Sequence, residues 1–287
     1  MRWSSGDRSN IEDARGRSGG GLRGGVPMGI GGLLVLLVLS WATGTDFLSL
    51  LGGVDTGSPS SAVSDSTEPL QTTPEEERMV DMVDAVAGDT QDTWARLLGS
   101  QYQRTRVVLF RDAIQSGCGA AESSTGPFYC PSDQKVYLDL GFFKELSDRF
   151  GAPGDFAQAY VVAHEFGHHV QNLLGTNERV RAGSMGANSG SVALELQADC
   201  YAGVWGNAAS NGGRFHAGRV ELDPGDAEEA LRAASVIGDD HLQKMATGRI
   251  QPERFTHGTS AQRMEWFQRG LKTGDPRQCD TFAALTQ

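Results

Sequence analysis

The sequence predicts an α+β fold in which a small sheet is followed by mostly helices, behind one apolar N-terminal segment. Three observations support this prediction. Two strand-like segments lie between residues 105 and 140, and helical patterns fill most of residues 141–270. An uncharged apolar run, GIGGLLVLLVLSW, occupies residues 29–41. Strands that come first and helices that follow are typical of α+β domains.

The length and the charge of the chain limit the class of protein. At 287 residues, the chain suits one good-sized domain with attached segments. Its formal net charge is −11, and no basic stripe offsets that charge. A protein that binds nucleic acid needs such a basic surface. We therefore expect no nucleic-acid partner, and the sequence leaves the oligomeric state open.

The N-terminal quarter predicts a membrane anchor. Residues 1–28 are rich in Gly, Ser and Arg and are expected to form a disordered cytoplasmic leader. Residues 29–51 are expected to form a transmembrane helix, since a span needs about 20 mostly apolar residues. The arginines before this segment favour a cytoplasmic N-terminus, with everything after the segment outside. Residues 52–73 have the composition of a flexible linker, so that residues 74–287 form the folded domain.

A cleaved signal peptide is the alternative interpretation of the apolar segment. The leader before residue 29 is long for the charged region of a signal peptide. No clear small-x-small cleavage site follows the apolar core. An uncleaved, single-pass anchor in the cell membrane is therefore the prediction.

The four cysteines fit a domain outside the cytoplasm. An even number of cysteines in an exported domain favours disulfides. Cys118 and Cys130 are close enough in sequence to close a short loop, which leaves Cys200 and Cys279 as a candidate pair. Four cysteines allow three connectivities, and the sequence does not choose among them. A zinc site made of cysteines is disfavoured because the chain has no CxxC pair.

The elements of the folded domain follow in order from residue 73. Thr73 and Pro74, with the acidic residues after them, predict a helix start. That helix is expected to end near Val86, and a second short helix is expected at 92–98. Alternating or β-branched residues predict strands at 105–114 and 135–140. Later helices are predicted at 141–150, 155–174, 191–207, 224–238, 239–245 and 260–270.

The predicted helix 155–174 carries the motif H-E-x-x-H. His164 and His168 are separated by four residues, so both present a ring nitrogen on one helix face. Two imidazoles in this arrangement can bind one metal ion. Glu165 is adjacent to the first histidine and can act as the catalytic general base on a water molecule. Gly167 is unfavourable inside a helix, so we expect a close neighbour there.

The next acid-bearing helix supplies the third metal ligand. Within the segment ALELQAD, Glu195 and Asp199 also share one helix face. We assign Glu195 as the third ligand and Asp199 as the partner of a ligating histidine. Two histidines and one glutamate leave a fourth zinc position open for water, as in catalytic sites. The alternative is that both acids lie on a solvated face, but their neighbours in sequence are apolar.

Several stretches carry a resemblance to a known family. HEFGHHVQ, ELQADCYAGVW and FTHGTSAQRMEWFQRG resemble the bacterial putative neutral zinc metallopeptidase family, and so do SGCG, GPFYCP and KVYLDL. The likeness extends from Arg2 to Phe282 and includes the leader and the apolar segment. It implies a membrane-anchored, zincin-like domain that uses Zn²⁺. It says little about the substrate.

Other polar residues have weaker assignments. His257 precedes a helix and either stabilises a reaction oxyanion or hydrogen-bonds as a helix cap. Arg263 either assists it or is a solvated helix residue. His169 is expected on the surface or in packing, and structural roles are expected for His216 and His241. Aromatic residues expected in the core are Trp205, Trp266 and Phe267.

The sequence therefore predicts a membrane-anchored zinc metallopeptidase whose partner is a peptide or protein substrate. The strand 135–140 is either an edge strand that holds the substrate or an ordinary core strand. Two other functions remain possible at this point: a zinc-binding scaffold that does not cut, and a zinc amidase that acts on cell-wall material. Glu165 argues against the scaffold, because a structural zinc site needs no base beside it.

Overall fold

The computed structural model describes residues 1–16, 70–180, 183–210 and 218–285. Its strands are β1 (Arg2–Trp3), β2 (Ile11–Asp13), β3 (Val107–Phe110), β4 (Ala113–Ser116), β5 (Gly119–Glu122), β6 (Phe128–Cys130), β7 (Lys135–Asp139) and β8 (Val220–Glu221). Its α-helices are α1 (Pro74–Leu98), α2 (Gly141–Asp148), α3 (Asp155–Leu173), α4 (Gly190–Ala209), α5 (Asp226–Val236), α6 (Asp239–Thr247), α7 (Ser260–Thr273) and α8 (Thr281–Leu285). The predicted α+β class, with a small sheet and mostly helices, is confirmed.

The main sheet has four strands in the order β2-β3-β7-β6. β2 and β7 are parallel to β3, whereas β6 is antiparallel to β7 and lies at the edge. Successive residues of a strand face opposite sides of a sheet. Val107 and Leu109 accordingly join the main core, while Val108 and Phe110 join a smaller cluster on the other face. Two-stranded antiparallel sheets are formed by β1 with β8 and by β4 with β5.

The first sixteen residues belong to the folded domain. Met1–Gly16 and the chain from Leu70 onward form one compact unit, in which β2 pairs with β3. Arg15 is buried and donates to Asp13, Glu76 and Glu77, so charge as well as pairing holds this segment. The predicted disordered leader is therefore wrong for residues 1–16, and the rest of that leader lies outside the described residues.

The joined fold bears on the predicted membrane topology. The predicted topology puts residues 1–16 in the cytoplasm and the folded domain outside, whereas residues 1–16 and the chain from Leu70 form one compact unit in which β2 pairs with β3. The location of the folded domain stays a prediction. Along the four described stretches, no helix has both the length and the apolar character of a membrane span. The predicted anchor 29–51 itself, and the predicted linker 52–69, lie outside them.

Two predicted element boundaries are wrong for physical reasons. The helices predicted on either side of Gly88 are one continuous helix, α1. Asp89, which disfavours a helix locally, accepts hydrogen bonds from Trp205 Nε1 at 2.9 Å and from the backbone of Arg219 at 3.0 Å. Tertiary contacts thus outweigh local propensity. The single strand predicted at 105–114 is two strands, β3 and β4, because the chain bends at Asp112, whose φ is 62°.

Close helix packing brings α3, α4 and α7 together. A Cβ atom on Gly167 of α3 would lie 3.0 Å from the Cα atom of Ala198 on α4, which confirms the expected close neighbour. Between α4 and α7, a Cβ atom on Gly203 would overlap the carbonyl oxygen of Phe267. One on Gly270 would overlap that of Cys200. The backbones of these helices therefore pack directly against each other.

The two disulfides pair the cysteines that are nearest in sequence and the two that remain. Cys118 is joined to Cys130, which closes the segment between β4 and β6. Cys200 of α4 is joined to Cys279, which fixes the chain after α7 to the helix that carries Glu195. The residues expected in the core, Trp205, Trp266 and Phe267, are all buried there.

Replacing Gly270 by Ala is expected to destabilise the fold. Alanine favours a helix over glycine by up to about 1 kcal/mol, but here its methyl group would separate α4 and α7. We expect the free energy of unfolding to fall by about 1–3 kcal/mol, the usual cost of overpacking, measured by urea denaturation. Gly141→Ala at the exposed start of α2 is the control and should change little. Equal or higher stability of the Gly270 variant would contradict the packing described.

Candidate metal centre

Three side chains from two helices converge at one point. His164 and His168 extend from one face of α3, and Glu195 extends from α4. His164 Nε2 lies 3.1 Å from Glu195 Oε2, and His168 Nε2 lies 3.5 Å from Glu195 Oε1. The three candidate ligand atoms all lie within 4.8 Å of one another, and no other group of this kind is found among the described residues. The structure thus brings together the three residues that the sequence assigned as ligands.

Asp199 holds the outer nitrogen of His164. Its Oδ1 atom lies 2.8 Å from His164 Nδ1, and the carboxylate is completely buried. Tyr160 donates its hydroxyl to Oδ1 at 2.5 Å, and Arg263 donates from Nε and Nη2, each at 2.9 Å. Since a carboxylate here can only accept, the His164 ring carries a proton on Nδ1, so Nε2 is the nitrogen that can bind a metal once it has lost its own proton. Asp199 lies where the sequence predicted it, beside a histidine of the candidate metal centre.

An amide holds the outer nitrogen of His168, which the sequence did not predict. Gln171 Oε1 lies 2.8 Å from His168 Nδ1. Gln171 Nε2 donates to the carbonyl of Leu194 at 2.7 Å and to Gln197 Oε1 at 3.1 Å, so Oε1 is left to accept. Gln197 in turn donates to the carbonyl of Cys279 at 2.9 Å. His168 is therefore oriented by two neutral amides, those of Gln171 and Gln197. The second amide is held by the backbone of Cys279, which is disulfide-bonded to Cys200.

The metal-ligand cluster opens onto a cavity of about 680 Å³. Glu165 lines this cavity beside the ligands and is only 7% exposed. His257 also lines the cavity, with about half of its side chain exposed. Both residues that the sequence assigned to catalysis thus face the same space as the candidate metal ligands.

Asp239 shapes the turn that carries His257. Its Oδ2 atom accepts backbone N–H groups from Thr256 and His257 at 2.7 Å and from Gly258 at 3.1 Å. Its Oδ1 atom lies 3.3 Å from His257 Nδ1. Thr256 Oγ1 also lies 2.8 Å from His257 Nδ1. Because Asp239 and Thr256 hold Nδ1, Nε2 is the ring nitrogen that a substrate in the cavity can contact. An aspartate at the start of a predicted helix was the only sequence signal for this contact.

The other polar residues considered in the sequence are not among the candidate metal ligands. Arg263 is 3% exposed and is bound to Asp199 and Tyr160, so it is not the solvated helix residue of one interpretation. His169 is fully buried, with Nε2 2.6 Å from the carbonyl of Gln103, which confirms a packing role rather than a surface one. His241 is outside the metal cluster. His216 lies outside the described residues.

The electrostatics of the cluster match a divalent cation. Burial lowers the pKa of His164, but Asp199 and Glu195 outweigh it and raise the pKa to about 10. Burial raises the pKa of Glu195, but His168 and His257 outweigh it and hold that pKa well below the ordinary value. In the same way, Arg263 and His164 keep the pKa of Asp199 low despite its burial. Protonated histidines thus balance the negative charge of the carboxylates, and a bound divalent cation would balance the same charge.

The donor set and the charges together fit zinc. Glu165, Glu195 and Asp199 carry three formal negative charges, and Arg263 carries one positive charge, so two negative charges are uncompensated when the histidines are neutral. Two imidazole nitrogens and one carboxylate are the ligands of catalytic zinc sites, in which a fourth position is left for water. Such a ligand set, two histidines and one carboxylate on two packed helices, is typical of the class of zinc metallopeptidases.

The chain belongs to the putative neutral zinc metallopeptidase family, whose model matches residues 1–282. This family implies Zn²⁺ as the cofactor. The chain is 45% identical over 297 aligned residues to the uncharacterized protein YpfJ of Escherichia coli K12, covering 98% of this chain and 99% of YpfJ. It is 48% identical to the uncharacterized protein Rv2575 of Mycobacterium tuberculosis H37Rv, covering 70% of this chain and 69% of that protein. No solved structure matches.

Replacing Gln171 by Leu is expected to weaken zinc binding. The substitution leaves His168 Nδ1 without its acceptor, and loss of such a partner typically costs about 10- to 100-fold in metal affinity. The affinity can be measured by competition with a chromophoric chelator. Gln158→Leu makes the same chemical change on the same helix outside the cavity and is the control. Unchanged affinity of the Gln171 variant would show that the amide does not orient His168.

Proposed function

We propose that this chain is a zinc metallopeptidase that hydrolyses peptide bonds with Glu165 as its general base. One observation carries the proposal: the three candidate ligands and Glu165 line the same cavity. Because the ligands line the cavity, a substrate can reach them from that side. A purely structural site would be closed by a fourth protein ligand.

The proposed reaction assigns one role to each residue. Zinc, when bound by His164, His168 and Glu195, polarises the substrate carbonyl and lowers the pKa of the attacking water. Glu165 takes a proton from that water, the resulting hydroxide adds to the carbonyl carbon, and Glu165 then delivers the proton to the amine nitrogen as the C–N bond breaks. His257 donates a hydrogen bond from Nε2 to the oxyanion that develops from the carbonyl.

Several buried residues position these groups. Asp199 and Arg263 hold His164, and Gln171 holds His168, as their contacts indicate. Asp239 holds the turn of His257. Groups fixed before the substrate arrives need no reorganisation during the reaction, and this lowers the barrier.

An edge strand is the proposed site for the substrate backbone. The strand that the sequence offered for this role, β7, lies between β3 and β6, so its core-strand interpretation is the correct one. β6 is the edge strand next to β7, and Tyr129 in β6 lines the cavity with Gly126 and Pro127 before it. A strand edge binds an extended peptide through backbone hydrogen bonds. We therefore propose that the substrate lies along residues 126–131 and is a peptide or an unfolded protein segment.

The two alternative functions have less support. A zinc-binding scaffold would not need Glu165 beside its ligands or a cavity in front of them. A zinc amidase that acts on cell-wall material shares the same chemistry but would use the edge strand less, because its substrate is not an extended peptide. Chelator-sensitive hydrolysis of casein would favour the peptidase over both alternatives.

We also propose that the folded domain acts outside the cytoplasm. Disulfides persist in oxidising compartments and are rare in the bacterial cytosol. Both disulfides lie in the folded domain, at Cys118–Cys130 and Cys200–Cys279, and support this location. Residues 1–16 would then be exported as well, since they fold with that domain.

Glu165→Gln is expected to keep zinc and lose hydrolysis. Glutamine preserves the shape of the side chain but cannot accept the proton, and loss of a general base typically lowers the rate by about 10²- to 10⁴-fold. The full-length chain would be assayed on casein with zinc, with a chelator and with this substitution. Glu228→Gln on the exposed face of α5 is the matched control and should keep full activity. Chelator-sensitive hydrolysis that persists in the Glu165 variant would reject the proposed base.

His257→Ala is expected to lower kcat more than it raises KM. The imidazole acts on charge that exists only in the transition state, and loss of one such donor costs about 10²- to 10³-fold in kcat. His241→Ala, on α6 and outside the cavity, is the control. A larger effect on KM than on kcat would assign His257 to substrate binding instead.

A further inference from the structure

The cavity extends along α3, so its lining residues can be ordered by their position on this helix. Val161 lies one turn before Glu165, whereas Gln171 lies almost one turn beyond His168. The rise of a helical turn is about 5.4 Å, whereas an extended peptide rises about 3.4 Å per residue, so one helical turn spans between one and two substrate residues. The reacting centre therefore has one neighbouring region on the Val161 side and another on the Gln171 side.

The region on the Val161 side is apolar. Ile237 belongs to it because its carbonyl accepts a hydrogen bond from Arg263, which also reaches Tyr160 one turn before His164. We call apolar subsite the set of apolar side chains that line the cavity from residues 142–150, from α3 and from residues 237–242; they are Phe142, Phe150, Val161, Ile237 and Leu242. Four of the five side chains are only partly buried, so they offer apolar surface to a ligand.

The region on the Gln171 side has a different character. Gln171 and Asn177 line it with amides, and Asn177 donates to Asn172 at 2.9 Å. Tyr129 of the edge strand reaches the same end of α3, since Asn172 donates to its hydroxyl at 3.1 Å. The other end of the edge segment approaches the apolar subsite, because a Cβ atom on Gly126 would lie 3.7 Å from the Phe142 ring. A peptide held along residues 126–131 would thus pass both regions and the reacting centre between them.

Charge is confined to the middle of the cavity. Its ionisable lining residues other than Tyr are His164, Glu165, His168, Glu195, His257 and Arg263, all at or around the ligand cluster. A charged substrate side chain placed in the apolar subsite would lose water and find no opposite charge there. A large apolar side chain would instead leave water and contact five apolar residues.

We propose that the apolar subsite binds a large aliphatic or aromatic side chain of the residue next to the scissile bond, and so selects the peptides that are cut. This inference rests on the proposed peptidase function and adds a substrate preference to it. Discrimination by an apolar pocket amounts to about tenfold or more between side chains that differ by several carbon atoms. We expect at least that preference for Phe or Leu over Asp or Gly.

Leu242→Lys tests the subsite directly. Leu242 is partly exposed on α6, so a lysine can be accommodated, and it would place a positive charge at the apolar lining. Quenched fluorescent peptides with Phe, Leu, Gly or Asp on either side of one bond would be compared by kcat/KM on the full-length, zinc-loaded chain. We expect Leu242→Lys to lose about tenfold on Phe peptides and to gain on Asp peptides. Met245→Lys on the same helix, 51% exposed and outside the cavity, should keep the original preference.

A binding measurement separates failure of this inference from failure of the proposed function. Peptide hydroxamates that differ only in the Phe or Asp side chain would be titrated into zinc-loaded wild-type and Leu242→Lys chains by calorimetry. Tighter binding of the Phe compound, lost in the Leu242 variant, would support the subsite even if no peptide is cut. Equal binding of both compounds by the wild type would overturn it. Hydrolysis that depends on Glu165 but shows no side-chain preference would also overturn it, while leaving the peptidase function in place.

Discussion

The buried carboxylate of Asp199 is the interaction on which the rest of the site depends. It joins three helices: it lies in α4, it accepts from His164 and Tyr160 of α3, and it pairs with Arg263 of α7. Removing one partner from such a buried charge pair leaves an uncompensated charge, at a cost of about 3–5 kcal/mol. The close packing at Gly167, Gly203 and Gly270 is what allows these polar groups to meet. The geometry of the candidate metal ligands therefore depends on how closely these helices pack.

The two candidate histidine ligands are held by chemically different partners. His164 faces a carboxylate that is itself neutralised by a guanidinium, whereas His168 faces the neutral amide of Gln171. A carboxylate partner makes an imidazole a stronger electron donor than an amide does. The metal would thus be bound by two histidines of unequal donor strength. The weaker of them depends on Gln197 and on the chain end at Cys279.

The sequence predicted the parts of the site that local spacing determines. His164, Glu165 and His168 lie within one helical turn, and Glu195 and Asp199 have the same spacing on an apolar helix, so both faces could be identified from periodicity. Asp239 and Gln171 could not be assigned, because their roles depend on a turn and on a contact between helices. The strands β1 and β2 were missed for a related reason. They have two and three residues, too few to show alternation, and their partners Val220 and Val107 are distant in sequence.

The parallel pairing of β2 with β3 has a consequence for the order of folding. Ile11 is made early in synthesis, but its partner Val107 emerges only after the whole intervening segment, and loop-closure entropy opposes their pairing. The pairings among β3, β6 and β7 join residues that are closer in sequence, and such local contacts form faster. We therefore expect residues 11–13, although they leave the ribosome before β3, to join the sheet after β6 and β7. Until they do, β3 presents an unpaired edge, which gives a chaperone or a neighbouring chain a transient place to bind.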